Sequence, residues 1–558
     1  MQIQYQKTHN FFIVILFFLV LFVCEQNSIA ILISKAKRKN LSTHNIQKNN
    51  SQQTLINKNN QTINKKDKSL SLDNEQKNNS PPWSNAFNFS KLWGTEVDPR
   101  TGVLTAYFKL GRMISNIGHG PNISLQLNYN SNSSANLDGL GTGWGWNLTH
   151  FNPVTDQLSL SGGQVFYLQK GNENHWYPLY HKLHNFEIDG DKSSHFTIIY
   201  ANGLREILSH DGYEVRLEQQ NGWGVNFLYQ QSTHLLQSIV DDQENKIILK
   251  REQGYLDVIN RSSDGKSAVI RVKSYNRNIN KIVFFSQHES VNPTIILHYK
   301  NKGLTKIIYP TGLEKTFTFN CTDMKLPVKS EFGQSLCVVS TEIVVPDTGQ
   351  IVKINYLYSH ININEHNYLG FNSGLTITKN FKRDILFEAP VNYTYRTIKD
   401  NGLVRQVYTY NKYHLLIDNK LISDHTGSLL SETENFFCNT QLRDGCAQTS
   451  FEELPSTYNF PLKIVTKAWS SFSDKPAVTT QSRKYDNFGR VISSTDAYGR
   501  ITTTHYCPLT GDIACPAAPK GLSFTLLPES ITFYPTHAIS TEVPVTILNY
   551  YRKQVNLN

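Results

Sequence analysis

Apolar and polar residues alternate in short runs along most of this chain. Ile123 to Asn130 reads ISLQLNYN, and the same two-residue period returns in QVFYLQ, FTIIYANG, GVNFLYQQ, KIILKR, KIVFFS, TIILHY and KTFTFN. A two-residue period places alternate side chains on opposite faces of an extended strand, and no amphipathic helical stretch of useful length competes with it. Gly, Asn and Asp punctuate the runs about every ten residues, the spacing of an antiparallel meander. Two segments, Leu235 to Leu249 and Leu304 to Phe319, both read as strand, polar turn, strand. The prediction is an all-β protein of meandering antiparallel strands.

The most regular stretch is Tyr485 to Tyr506, YDNFGRVISSTDAYGRITTTHY. Asp486 is placed to cap a turn through its carboxylate, Gly489 to take positive φ, and Arg490 to open the next strand. Asp496, Gly499 and Arg500 repeat the device ten residues later. One such unit cannot bury its own apolar face, so stacking with neighbours is built into the sequence.

The N-terminus differs. Phe11 to Cys24 is an uninterrupted apolar run preceded by Lys7, and Ser28-Ile29-Ala30 offers small residues at both positions of a signal-peptidase site. Residues 1–30 read as a signal peptide. An uncleaved membrane anchor over residues 11–33 stays open, because Ile29 to Ile33 extends the run across Glu25-Gln26-Asn27. Residues 31–82 are rich in Asn, Gln, Lys and Ser, with too little apolar surface to offset ordering entropy, and are expected to form a disordered tether.

The chain has 558 residues, 39% hydrophobic and 11% aromatic, enough to bury a sizeable core. Its formal charge of +10 suggests a nucleic-acid partner until the charge is located. Residues 31–82 carry ten Lys/Arg against three acids, so +7 belongs to that segment and the remainder is close to neutral. This argues against nucleic-acid binding and confines membrane contact to the N-terminal segment.

Six cysteines follow the apolar run: Cys321, Cys337, Cys438, Cys446, Cys507 and Cys515. Neighbours lie 16, 8 and 8 residues apart, which suits local bridges closing hairpins in an oxidising compartment, with unpaired half-buried thiols as the alternative. No Cys-x-x-Cys pair, zinc helix, P-loop, nucleophile elbow or dinucleotide fingerprint occurs, so neither cofactor nor metal is expected and the chain reads as non-catalytic. Gly139 to Gly143 lacks the Lys-Ser/Thr of a phosphate cradle and fits a β turn or a close strand crossing. Asp241-Asp242 could be imagined as acid/base or calcium ligands, but the pair falls at a predicted hairpin tip, where charge is ordinary. Trp144, Trp146, Trp176 and Trp223 are candidates for stacking on sugar rings, with core packing as the competing assignment.

The tandem YDxxGR and DxxGR units resemble the YD repeat of Rhs proteins and of insecticidal-toxin-complex proteins. Asn85-Ala86-Phe87-Asn88-Phe89, Val97 to Gly102 (VDPRTG), Gly141 to Leu148 (GTGWGWNL), His366 to Phe371 (HNYLGF) and Tyr410 to Leu416 (YNKYHLL) are similar to the leader region of bacterial Rhs-repeat proteins. The resemblance implies a partial β-shell or spiral sheet, with a β module over residues 83–320 and a repeat-bearing region over 321–558. Members of that family run on into a variable C-terminal toxin; this chain departs from the pattern, so the expectation is a non-catalytic scaffold lacking the toxin domain, whose partner is further YD-repeat or toxin polypeptide. A carbohydrate- or receptor-binding surface module, with cell-surface glycans as partners, and a remnant of a longer toxin gene are the competing readings. Secretion or surface display is the expected location.

Overall fold

A computed structural model describes residues 94–133, 136, 138–183, 186–285, 291–300, 303–326, 335–360, 382–470, 473–512, 515–518, 525–534 and 545–547. The apolar run Phe11 to Cys24, the polar segment 31–82, Asn85 to Phe89 and His366 to Phe371 lie outside the described residues. Among those described, the regular structure consists of strands and three short 3-10 turns, every strand pair is antiparallel, and no helix is long and apolar enough to cross a membrane.

The alternating pattern sets the first sheet. β1 (Thr95–Val97), β2 (Leu104–Met113), β3 (Ile123–Asn130) and β4 (Trp144–Trp146) pair in chain order. In β3 every second residue (Ile123, Leu125, Leu127, Tyr129) is buried and the intervening ones are half-exposed. β2 carries a bulge between Lys109 and Gly111, where the ladder register shifts. Asn260 fastens that bulge to the next sheet, accepting Arg112 N–H at 3.1 Å and donating to the Leu110 carbonyl at 3.2 Å.

From β5 (His150–Asn152) to β33 (Val545–Ile547) the strands form one long meander, hereafter the wall, in which each strand pairs with the next. No strand pair joins β33 to β5 among the described residues, so the wall is open. At its start it curls on itself: β5 meets the turn before β12 (Glu214–Glu218) through a bridge from His150 to Tyr213, and Phe151 N–H donates to the Gly212 carbonyl at 2.9 Å. The curl encloses Phe151, Phe166, Trp176, Phe186, Ile188 and Phe196.

A second core lies between the first sheet and the wall, where Leu104, Phe108, Leu127 and Trp144 pack with Ile239, Val258, Ile282, Leu304 and Val338. Burying a large aliphatic side chain stabilises by about 1.5–3 kcal/mol, so this sheet is strongly held. Strand β21 (Glu314–Lys325) runs straight through the division expected at residues 320/321, and the wall continues on both sides of it.

The core thins toward the C-terminus. Beyond Tyr458 the only buried apolar side chains among the described residues are those of Cys507 and Cys515.

Candidate functional site

The YD-type turns behave as the sequence requires. Asp486 Oδ1 accepts the N–H groups of Phe488 (2.9 Å) and Arg490 (3.0 Å), its Oδ2 accepts Arg490 Nε at 2.7 Å, and Gly489 has φ +77°. Asp496 repeats each contact with Tyr498 N–H (2.9 Å), Arg500 N–H (3.0 Å) and Arg500 Nε (2.6 Å), with Gly499 at φ +81°. The arginines hold the capping carboxylates in place and lie over aromatic rings: Arg490 is 4.5 Å from the Tyr506 centroid and Arg500 is 5.1 Å from that of Tyr498. Tyr485 stacks on Phe460 and donates to the Pro461 carbonyl at 3.2 Å. These seven residues build turns between β29 (Ser473–Tyr485), β30 (Val491–Thr495) and β31 (Ile501–Tyr506).

The same device recurs without glycine. Asn411 Oδ1 accepts Tyr413 and Leu415 N–H, each at 3.0 Å, and the positive-φ residue is His414 (φ +61°). Asp241 accepts Gln243 N–H (2.9 Å) and Asn245 N–H (2.8 Å), with Glu244 at φ +65°. Asp241 is buried at this hairpin tip, and Asn116 N–H also donates to it at 2.8 Å.

His414 is the centre of a sealed polar node. Its Nε2 lies 2.8 Å from Asp384 Oδ2 and its Nδ1 lies 2.8 Å from the Tyr395 hydroxyl, with all three side chains fully buried. Nε2–H donating to the carboxylate and Nδ1 accepting the phenol proton satisfies every group. Burial holds the Tyr395 phenol well above its usual pKa, so it stays a donor. Arg100, from the VDPRTG segment, donates to the His414 carbonyl at 3.2 Å and lies over Tyr410 at 5.2 Å. The node ties the entry to the first sheet to a turn far along the wall. It has no open face on which an external substrate could meet the imidazole.

A second buried polar cluster lies where the wall curls. Glu206 on β11 (Arg205–Ser209) accepts the Tyr200 hydroxyl at 3.0 Å, and Glu214 on β12 accepts Thr149 N–H at 3.0 Å. Burial, then the charge of Glu206, raises the Glu214 carboxyl well above its ordinary value; burial raises that of Glu206. Nearby His150 is lowered to about 4 by burial and then by repulsion from His234. No group of His, Cys, Asp and Glu that could hold a metal occurs among the described residues.

The four tryptophans are not brought together. Trp144 is buried beside Tyr129 and Phe108 and donates from Nε1 to the Tyr299 hydroxyl at 2.9 Å. Trp146 is buried in the same core, and Trp223 is half-buried at a hairpin. An exposed aromatic sheet face is therefore not what these residues form; packing takes Trp144 and Trp146. Trp176 is buried in the other core and also lines a cavity together with Asp156, Lys170, Asp191, Lys192 and Lys382. The glycine cluster is a close crossing: a Cβ on Gly141 would sit 2.5 Å from the Arg277 carbonyl oxygen.

All three neighbouring cysteine pairs are bridged: Cys321–Cys337, Cys438–Cys446 and Cys507–Cys515.

No protein-family model matches the chain, and no curated protein matches it. Among solved structures it is similar to the TcdB2-TccC3 complex without its hypervariable C-terminal region, at 9% identity over 70% of this chain and 18% of that one, with a TM-score of 0.35. It is similar to the Photorhabdus luminescens Tc holotoxin pore at 9% identity over 71% and 22%, with a TM-score of 0.32. The N-terminal domain of the effector SpvB from Salmonella typhimurium strain LT2 matches at 10% identity over 60% and 94%, with a TM-score of 0.12. The chain spans about a fifth of the length of the Tc chains it matches.

Proposed function

We propose that this chain is a non-catalytic β scaffold of an exported, toxin-related assembly, and that a second β polypeptide of the Rhs/YD-repeat kind completes its wall. The observation that carries this reading is the set of exposed apolar side chains on the last described strands of the wall. Ile501 and Tyr534 lie opposite each other on one face, and Ile492 and Phe533 lie on the other face; all four are exposed. β33 pairs only with β32 (Pro528–Tyr534), so its outer edge has no partner strand among the described residues. Such an edge, next to partly apolar faces, is a template for added strands.

Two further observations support the reading. Three bridged cysteine pairs suit an oxidising compartment, in keeping with export directed by Phe11 to Cys24. The buried polar clusters serve turns and seams, which is the work of a scaffold.

Fractionation of producing cells, with N-terminal sequencing and intact mass, tests export. A soluble chain beginning at Ile31, lighter by two hydrogens per bridge, is expected. An intact chain in the membrane fraction with free thiols overturns that part of the proposal. Turnover of any substrate in a broad hydrolase panel, abolished by a single substitution, overturns the non-catalytic part.

A further inference from the structure

The cavity beside Trp176 has a volume of about 420 Å³, within the range of small-molecule sites. Three lysines converge on it from separate segments. Lys170 ends β7 (Val165–Lys170), Lys192 lies in the turn after β9 (Phe186–Gly190), and Lys382 comes from far along the chain. The Lys170 and Lys192 ammoniums stand 5.9 and 5.5 Å from the Trp176 ring centroid. Lys170 pairs with Asp191 at 3.1 Å and Lys192 with Asp156 at 2.9 Å. Lys382 lies 4.0 Å from the other oxygen of Asp156, so two carboxylates serve three ammoniums.

Neither fold nor turn geometry demands this arrangement. The three side chains are a third to a half exposed, and their segments meet only through tertiary structure. Asp191 is held well below the usual carboxylate range by the Ser193 hydroxyl and N–H, then by Lys170, so it remains an ionised acceptor. The cavity therefore combines a surplus of one positive charge, two carboxylate acceptors for hydroxyl protons, the side chain of Gln169 and the indole of Trp176.

We propose that this cavity binds a small hydroxylated anion, a sugar carboxylate or sugar phosphate. Its anionic group lies among Lys170, Lys192 and Lys382, and its hydroxyls donate to Asp156 and Asp191. The anion supplies the missing negative charge, and charge-assisted hydrogen bonds to ammonium groups give it an advantage over a neutral sugar.

Calorimetric titration of the full chain with glucuronate, glucose 6-phosphate, glucose and inorganic phosphate tests the proposal. Saturable one-to-one binding of glucuronate or glucose 6-phosphate is expected, weakening as salt rises. Binding of the first alone assigns a carboxylate, and of the second alone a phosphate. The double variant Lys170→Gln with Lys382→Gln should lose about tenfold or more in affinity, because one charge-assisted hydrogen bond is worth at least that factor. Its urea midpoint should be unchanged, since both side chains are partly solvated. The proposal is overturned if neither sugar anion binds, if glucose or inorganic phosphate binds as tightly as the sugar anions, or if the folded double variant binds like the parent.

Discussion

Replacing Gly489 with alanine probes the turn on which the repeat region depends. The residue sits at φ +77°, a conformation that costs an L-residue about 1–2 kcal/mol. A Cβ there would lie 2.3 Å from Leu183 Cδ2 and 3.0 Å from Phe460 Cε2, so the leucine tip must move as well. Gly402 separates the two effects: it has φ +77° too, but no atom lies within 4 Å of its Cβ position. Gly402→Ala should cost about 1 kcal/mol from backbone conformation alone, and Gly489→Ala about 2 kcal/mol. Gly489→Asn should recover part of the backbone cost, since asparagine tolerates the left-handed region.

Local hydrogen exchange is the assay, because a meander opens in parts and a global melting curve blurs them. Gly489 N–H donates to the Asp486 carbonyl at 3.0 Å and Arg490 N–H to its carboxylate at 3.0 Å. Each 1.4 kcal/mol lost raises the open population tenfold, so both amides should exchange more than tenfold faster in Gly489→Ala. Unchanged exchange would refute the positive-φ assignment. Equal losses in the two alanine variants would refute the packing of Leu183 over the turn.

Other outcomes follow from the buried clusters. Because the Glu206 and Glu214 carboxyls are raised in the fold, their contribution is fully present below the ordinary carboxylate range and is lost as pH rises through their folded values. The urea midpoint of the curl should fall on the alkaline side, and Glu214→Gln should flatten that limb; an unchanged profile counts against the pair. His150, lowered to about 4, has the opposite sign: its contribution is present above the unfolded histidine value and fades as pH falls toward about 4. His414→Ala leaves Asp384 buried without its imidazole and should cost roughly 3–5 kcal/mol, read from urea unfolding; a loss under 1 kcal/mol contradicts the node. Removing the Cys438–Cys446 bridge as a double serine variant should cost about 2.5 kcal/mol by loop closure, read the same way.

What could be read from the sequence was local. Alternation at Ile123 to Tyr129 gives the buried face of β3 residue by residue, and the Asp-x-x-Gly-Arg spacing gives cap, positive φ and strand restart. The cysteine pairs were legible because each closes a short loop. What escaped depends on pairings distant in sequence. Asp241 looked like ordinary hairpin charge because its partner, Asn116, lies in the turn between β2 and β3, 125 residues away in sequence. Trp144 reads equally well as surface or core until Tyr299 arrives beneath its indole nitrogen. His414 hides the Asp486-type turn because a histidine held by Asp384 and Tyr395 takes the place of the glycine. The lysines around Trp176 share no local motif at all.

The central claim is that the wall is completed by another β polypeptide. It is tested most directly by hydrogen exchange of residues 528–547, comparing the assembly isolated undenatured from producing cells with the purified chain alone. The account predicts a particle larger than one chain, in which the β32 and β33 amides are protected relative to the isolated chain. A native particle with the mass of one chain, and identical exchange at that edge, would contradict it.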